Sequence, residues 1–202
     1  MSNLTIKLEK FKLNLISLLP EVTEETKEKI KSFNPIIGIS VKWKEWYALI
    51  GPTTCKECRE LNGKIFDAKE YINKPPLHPR CRCRVDYMET IKNGTATIEG
   101  KNGADYYVYN YGFLPPKYVT QNKAKKLGWI PKSGNLFEIN KLIGGDIYYN
   151  RDKRLPHNDT RIWHEADLNY IYGFRNNCRL LYSNDGLIFL TFDHYKTFIE
   201  LV

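Results

Sequence analysis

At 202 residues, with 42% apolar and 13% aromatic residues, the chain is long enough for one large domain or two small ones and too hydrophobic for wholesale disorder. Its 31 lysines and arginines outnumber its 23 acidic residues, and the formal charge of +8 suits a phosphate-bearing partner. No stretch approaches the length of a membrane span. The apolar run at residues 13–19 has acidic residues on either side and no small-residue cleavage site, so neither a membrane protein nor a signal peptide is expected. The reading is of a protein that is cytoplasmic at synthesis, or one exported by a route that leaves no such mark.

Leu4, Leu8, Phe11, Leu15 and Leu18 recur at helical spacing and predict an opening amphipathic helix that ends near Pro20. Residues 21–33 read as a second helix, rich in charge and short of apolar side chains. Residues 36–50 are more hydrophobic, with Trp43, Trp46 and Tyr47, and lead into a segment holding four of the five cysteines. Such clustering without a secretory signal favours a metal site over disulfides. Cys55-x-x-Cys58 with His78-x-x-Cys81 supplies the donors for a tetrahedral structural zinc, and Cys83 competes for the fourth position. The alternatives are reduced cysteines held by packing alone, or a disulfide pair in a protein that works outside the cell. Pro75, Pro76 and Pro79 mark an irregular loop. At residues 90–103 the composition turns to Gly, Thr, Asn and Lys, which reads as an interdomain linker or a loose hairpin. The expected division is a small Cys/His-containing domain over 1–89, the linker, and a second domain over 104–202.

In that second part, residues 121–128 predict a short helix with Thr120 as N-cap and Gly128 as stop. Residues 166–172, 179–182, 187–191 and 197–201 read as strands, and Ser183-Asn184-Asp185-Gly186 supplies turn chemistry between two of them. Strands joined by tight turns, with helices placed before them, make an antiparallel meander in an α+β fold. Cys178 stands alone and reads as a small packing residue.

The segment RIWHEADLNYIYGFRNNCRLLYSNDGLIFLTFDHYKTFIEL, beginning at Arg161, closely resembles the catalytic half of bacterial guanyl-preferring ribonucleases of the barnase type. LPPKYVTQNKAKKLGW and IGGDIYYNR, upstream and in the same order, resemble the same family, and together the pieces cover about half the chain. The resemblance implies an endoribonuclease that needs no cofactor for catalysis. It would cleave RNA through a 2′,3′-cyclic phosphate, with the 2′-hydroxyl as nucleophile. Glu165 matches the family's general base and His194 its general acid, while Arg175 and Arg179 match the pair that grips the reacting phosphate. Tyr195 matches a tyrosine that contacts substrate. Tyr148, Tyr149, Asn150, Arg151 and Asp152 match the loop that cradles guanine, although Tyr149 is bulkier and Asp152 shorter than the family's residues there. Asp146 matches an acidic residue beneath the active site, with a supporting role toward the arginines. Gln121 stands where the family carries a lysine beside the scissile phosphate, and Lys123 lies two residues on, so an active but slow enzyme is expected.

TTCKECRELNGKIF and PPLHPRCRC, between Thr53 and Cys83, are similar to the conserved motif of phage head-morphogenesis proteins of the Mu F type. Those minor head proteins ride near the capsid portal, and their relatives carry toxin domains at the C-terminus. This resemblance spans only about thirty residues, and it implies a shortened carrier domain joined to an RNA-cleaving toxin or effector. The partners it implies are RNA, an acidic inhibitor of the barstar kind and phage capsid or portal components, with association to the virion. The alternatives are a virion-associated structural or RNA-binding protein of little or no activity, and a zinc-ribbon nucleic-acid-binding protein.

Overall fold

Burial follows the spacing at the N-terminus: Leu4, Leu8, Phe11 and Leu15 line one stripe of helix α1 (Asn3–Ile16) and all four are buried. The computed structural model describes residues 3–17, 20, 22–70 and 74–202, so Leu18 and Glu21 of the two expected helices lie outside the described residues. Helix α2 (Glu24–Ser32) starts later than its charge pattern predicts, because Thr23 is the N-cap and accepts a hydrogen bond from the Thr26 amide. The hydrophobic stretch that follows is strand β1 (Ile37–Tyr47). Helix α3 (Lys56–Leu61) and strands β2 (Ile65–Asp67) and β3 (Arg84–Ile91) complete the first half.

Helix α4 (Ala104–Tyr111), strand β4 (Tyr118–Val119) and helix α5 (Gln121–Lys126) open the second half, with Thr120 capping α5 as expected. Strands β5 (Leu142–Tyr148), β6 (Trp163–Asp167), β7 (Arg179–Ser183), β8 (Ile188–Thr191) and β9 (Ile199–Leu201) follow. The last four form the predicted antiparallel meander. One strand sits away from its expected position at residues 166–172. The alternation of Leu168, Tyr170 and Tyr172 imitates a strand, but Asn169 turns into the left-handed region (φ 54°) and ends it. Its side chain accepts from the Ile98 amide and donates to the Ala96 carbonyl.

Among the described residues the strands form one sheet, in the order β2-β1-β3-β9-β8-β7-β6-β5-β4. The join between the halves is parallel, with Thr90 opposite Glu200 and Ile91 opposite Leu201. The Asn93 amide then donates to the Val202 carbonyl. Where the linker was expected, residues 90–103 carry the end of β3 and a packed turn. Ala96 is fully buried there, and Thr97 donates to the buried Asp105 carboxylate of α4. The reason is hydrogen bonding: small polar residues satisfy a tight buried turn as well as they serve a solvated linker.

Each face of the sheet carries a core shared by both halves. On one face the buried stripe of α1, with Ile30 and Phe33, packs with Ala166, Leu180, Leu190 and Ile199. On the other, Trp43, Ile65 and Met88 pack with Trp163, Leu181, Phe189 and Phe198. A third cluster, with Val119, Ala124, Trp129 and Ile143, seats α5 against β5. No helix among the described residues is long and apolar enough to cross a membrane.

Candidate active site

Side chains alternate across a strand, so Trp163, Glu165 and Asp167 of β6 share one face while Ala166 enters the opposite core. Arg179 lies directly across from Asp167, and Thr191 directly across from Arg179, so a carboxylate, a guanidinium and a hydroxyl form a row over three strands. Asp167 is the pivot and is almost wholly buried. Its carboxylate accepts Arg175 Nε at 2.8 Å and Nη2 at 2.7 Å, and Arg179 Nε lies 3.1 Å away without a hydrogen bond at that atom. Arg179 Nη1 donates to the carbonyls of Asn176 and Cys178. Burial works against the charge of Arg175, yet the Asp167 pair outweighs it and raises the guanidinium pKa above its ordinary value. Arg175 Nη1 has no protein acceptor among the described residues.

Glu165 is half-buried, and its Oε2 accepts the Tyr195 hydroxyl at 2.5 Å. Burial first, and the neighbouring Glu165 second, raise the Tyr195 pKa, so the phenol stays protonated. His194 is exposed in the β8–β9 loop, edge-on to the Tyr195 ring at 4.9 Å. Both residues adopt left-handed backbone (φ 57° and 64°), a conformation that costs non-glycine residues about 1–3 kcal/mol each. A dense set of bonds holds them there. The His194 amide donates to the Asn177 carbonyl and the Tyr195 amide to Thr191 Oγ1. Asp193 accepts from Thr191, from the Thr197 amide and hydroxyl, and from Lys7 of α1 at 2.9 Å. Burial opposes the charge on Asp193, but these donors outweigh it and lower its pKa.

The loop after β5 adjoins this centre, because Tyr148 stacks on Tyr195 with ring centroids 5.3 Å apart. Asn150 is buried and closes the loop by bonding the Leu155 amide and carbonyl with its side chain. Tyr149, Arg151 and Asp152 are exposed, with the Arg151 guanidinium 5.5 Å from the centre of the Tyr149 ring. Gln121 begins α5, and its amide donates to Asp146 Oδ2 at 2.8 Å. This corrects the role expected of Asp146: it anchors the start of α5, and the carboxylate that holds both arginines is Asp167. A buried carboxylate on a strand leaves no mark in one sequence, since an acidic residue alternating with apolar ones reads as a solvated face.

Arg154 was also missed. Its Nη1 and Nη2 donate to the Tyr195 and Lys196 carbonyls, both at 2.8 Å, and its Nε donates to the Gly63 carbonyl. Gly63 has φ 75°, and a Cβ there would meet the Arg154 guanidinium at 2.3 Å, so only glycine fits. Arg154 thus ties the β8–β9 loop to the first half of the chain. Glu45, buried on β1, faces Arg154 across 3.8 Å and accepts the Tyr47 hydroxyl. Burial raises its pKa to about 7 against the opposing pull of Tyr47 and Arg154. The native carboxyl therefore holds its proton more tightly than the unfolded one, and stability falls as pH rises from about 4.5 to about 7. Urea midpoints across that window should decline more steeply for wild type than for Glu45→Gln; parallel slopes would contradict the burial of an ionisable Glu45.

A separate cluster gathers the cysteines. Cys55 Sγ and Cys58 Sγ lie 3.3 and 3.4 Å from His78 Nε2, and Cys58 Sγ lies 3.8 Å from Cys81 Sγ. Cys58 belongs to two groups, one with Cys55 and His78 and one with Cys81 and Cys83. The edges of a tetrahedral zinc site with sulfur and nitrogen ligands are roughly 3.5–3.8 Å, close to these separations, and the donors stand as two trios that share Cys58. His78 Nδ1 faces the Pro79 carbonyl at 2.9 Å, which fixes the ring with Nε2 toward the thiols.

Residues 100–202 match the family model described as ribonuclease. The ribonuclease of Heyndrickxia coagulans is 47% identical over 108 residues, covering 52% of this chain and 99% of that protein. The ribonucleases of Bacillus intermedius and Bacillus pumilus are each 47% identical over 108 residues, 67% of their own length. The matched region contains β5–β9, Glu165, both arginines, Asp167 and the His194 loop, and by that match the chain belongs to the ribonuclease family.

Proposed function

We propose that the chain is an endoribonuclease that cleaves RNA by metal-independent acid–base transphosphorylation, in the manner of the barnase-type enzymes it resembles. The observation that carries this reading is the convergence of Glu165, the Asp167-braced arginines and the His194 loop on one face of the matched region. Glu165 takes the proton of the 2′-hydroxyl, whose oxygen attacks phosphorus. Arg175 Nη1, with Arg179 behind it, neutralises the extra charge on the phosphorane. His194 gives a proton to the departing 5′-oxygen, leaving a 2′,3′-cyclic phosphate. The loop of Asn150, Arg151 and Asp152 sets a preference for guanine, weakened by Tyr149 at its rim. Comparing kcat/KM for the four NpU dinucleotides tests that preference: GpU should lead, and equal rates would remove the loop from base recognition.

Gln121 shares a cavity wall with Arg175 and Trp129 and places an uncharged amide where a cation would face the phosphate. Gln121→Lys should raise kcat by roughly 10- to 100-fold, by the measure of single-donor changes in other transition-state clamps. An unchanged kcat would place this position outside the clamp.

The first half of the chain holds one structural zinc through Cys55, Cys58 and His78, with Cys81 as fourth ligand and Cys83 its rival. The metal fixes α3 and the proline-rich loop and takes no part in cleavage. Elemental analysis should give one zinc per chain, lost in Cys58→Ser, and the metal-free form should melt roughly 10 °C lower or more. A metal-free protein of unchanged stability would leave packing alone to hold the cluster. In its cellular role the chain acts as a toxin or effector, with a phage-head-like carrier segment and an acidic inhibitor protein that covers the arginines and His194. Expression should arrest growth, and His194→Ala should relieve the arrest.

A further inference from the structure

A groove of about 530 Å³ runs between α1 and the loop that joins β6 to β7. Lys7, Lys10 and Asn14 of α1 form one wall, and Tyr172, Phe174 and Arg175 belong to the other. Asp193 and Lys196, which flank His194 and Tyr195 in the β8–β9 loop, also line it. Four cations therefore face one carboxylate, and that carboxylate is already paired with Lys7. Lys10 and Lys196 are exposed and have no carboxylate partner among the described residues. Phe174 is 70% exposed and Tyr172 is also exposed, so flat rings stand beside unpaired ammonium groups. That combination suits single-stranded nucleic acid, whose phosphates meet the cations while its bases stack on the rings.

We propose that this groove is an extended RNA subsite, built jointly by α1 and the ribonuclease region, that holds the nucleotides on the 3′ side of the scissile bond. The inference rests on the ribonuclease reading above. Polarity follows from the chemistry: His194 protonates the 5′-oxygen of the departing strand, and the groove opens from the residues beside His194. None of residues 148–155, the base-recognition loop, lines it. The match to the family model begins at residue 100, so α1 adds this wall from outside the matched region. Lys7 ties α1 to the catalytic loop through Asp193 and Thr197, which keeps the wall in register with the site.

The experiment compares GpU with GpU extended by three uridines on its 3′ side, and with GpU extended by three on its 5′ side. Wild type, Lys10→Glu and Phe174→Ala are assayed as full chains. The 3′ extension should raise wild-type kcat/KM by roughly tenfold or more, as stacking on aromatic platforms allows. Lys10→Glu and Phe174→Ala should each lose most of that gain while cutting GpU at the wild-type rate. The log–log salt dependence for the 3′-extended substrate should flatten in Lys10→Glu by about 0.7 for each phosphate no longer neutralised. A gain that survives both substitutions, no gain at all, or a gain confined to the 5′ extension would overturn the subsite as proposed. Failure of wild type to cut any of the three would overturn the ribonuclease reading itself, which separates the two claims.

Discussion

Glu165→Gln and His194→Ala should each lower kcat on GpU by about 10²- to 10⁴-fold, the usual worth of a positioned acid or base. KM should change little, because neither side chain is the main grip on the phosphate. The two losses should differ in kind. A substrate with a better leaving group than a 5′-alkoxide should recover rate in His194→Ala and not in Glu165→Gln, since only the former lacks the proton donor. The structure makes this separable, since Glu165 sits on β6 with its Oε2 held by Tyr195, whereas His194 is exposed in a loop braced by Asp193. Neither side chain belongs to a hydrophobic core, so both variants should melt near wild type. If both retained wild-type kcat, the acid–base assignment would be wrong.

Asp167→Ala should be the most destabilising change at the site. One buried carboxylate offsets two guanidiniums, and Arg179 is itself only 4% exposed. Removing one member of a buried charged set while leaving the others costs about 3–5 kcal/mol, since the survivors remain desolvated and unpaired. For a chain of 202 residues that corresponds to a fall in Tm of about 6–20 °C. Asp167→Asn, which keeps the shape and loses the charge, should fall between wild type and the alanine variant. Activity should drop in both, because Arg175 loses the partner that aims it. Calorimetry on the three proteins decides the matter; a shift of less than about 2 °C for Asp167→Ala, under the loss of even 1 kcal/mol, would mean that the carbonyls of Asn176 and Cys178 suffice to hold Arg179.

The meander was legible because its signals are local. β-rich runs, a Ser-Asn-Asp-Gly turn and period-two alternation fix β7 to β9 closely, and the stripe of α1 is fixed equally well by its 3.6-residue period. The alternation also places Glu165 and Arg179 on one face once the pairing of β6 and β7 is known. What escaped was non-local or concealed. The join of β3 to β9 links residues about 110 positions apart through two parallel pairs, and no periodicity in either segment names its partner. That single join turns an expected linker into a buried turn and draws both halves into shared cores. Asp167 and Arg154 act by geometry: one is a buried counter-ion, and the other reaches from the loop after β5 to Gly63 and the Tyr195 carbonyl. The misplaced strand at 166–172 shows the limit of pattern alone, since Leu168, Tyr170 and Tyr172 alternate correctly while Asn169 leaves the extended backbone for the left-handed region.

The central claim is that this chain breaks RNA by moving protons between its own side chains, and the identity of the first product tests it most directly. GpU would be incubated with the purified full chain in millimolar EDTA at 25 °C, and the products resolved by mass spectrometry before secondary hydrolysis. The account predicts guanosine 2′,3′-cyclic phosphate and free uridine, formed at the same rate as without the chelator. Products ending in a 5′-phosphate and a 3′-hydroxyl, or cleavage abolished by removing free divalent ions, would contradict it.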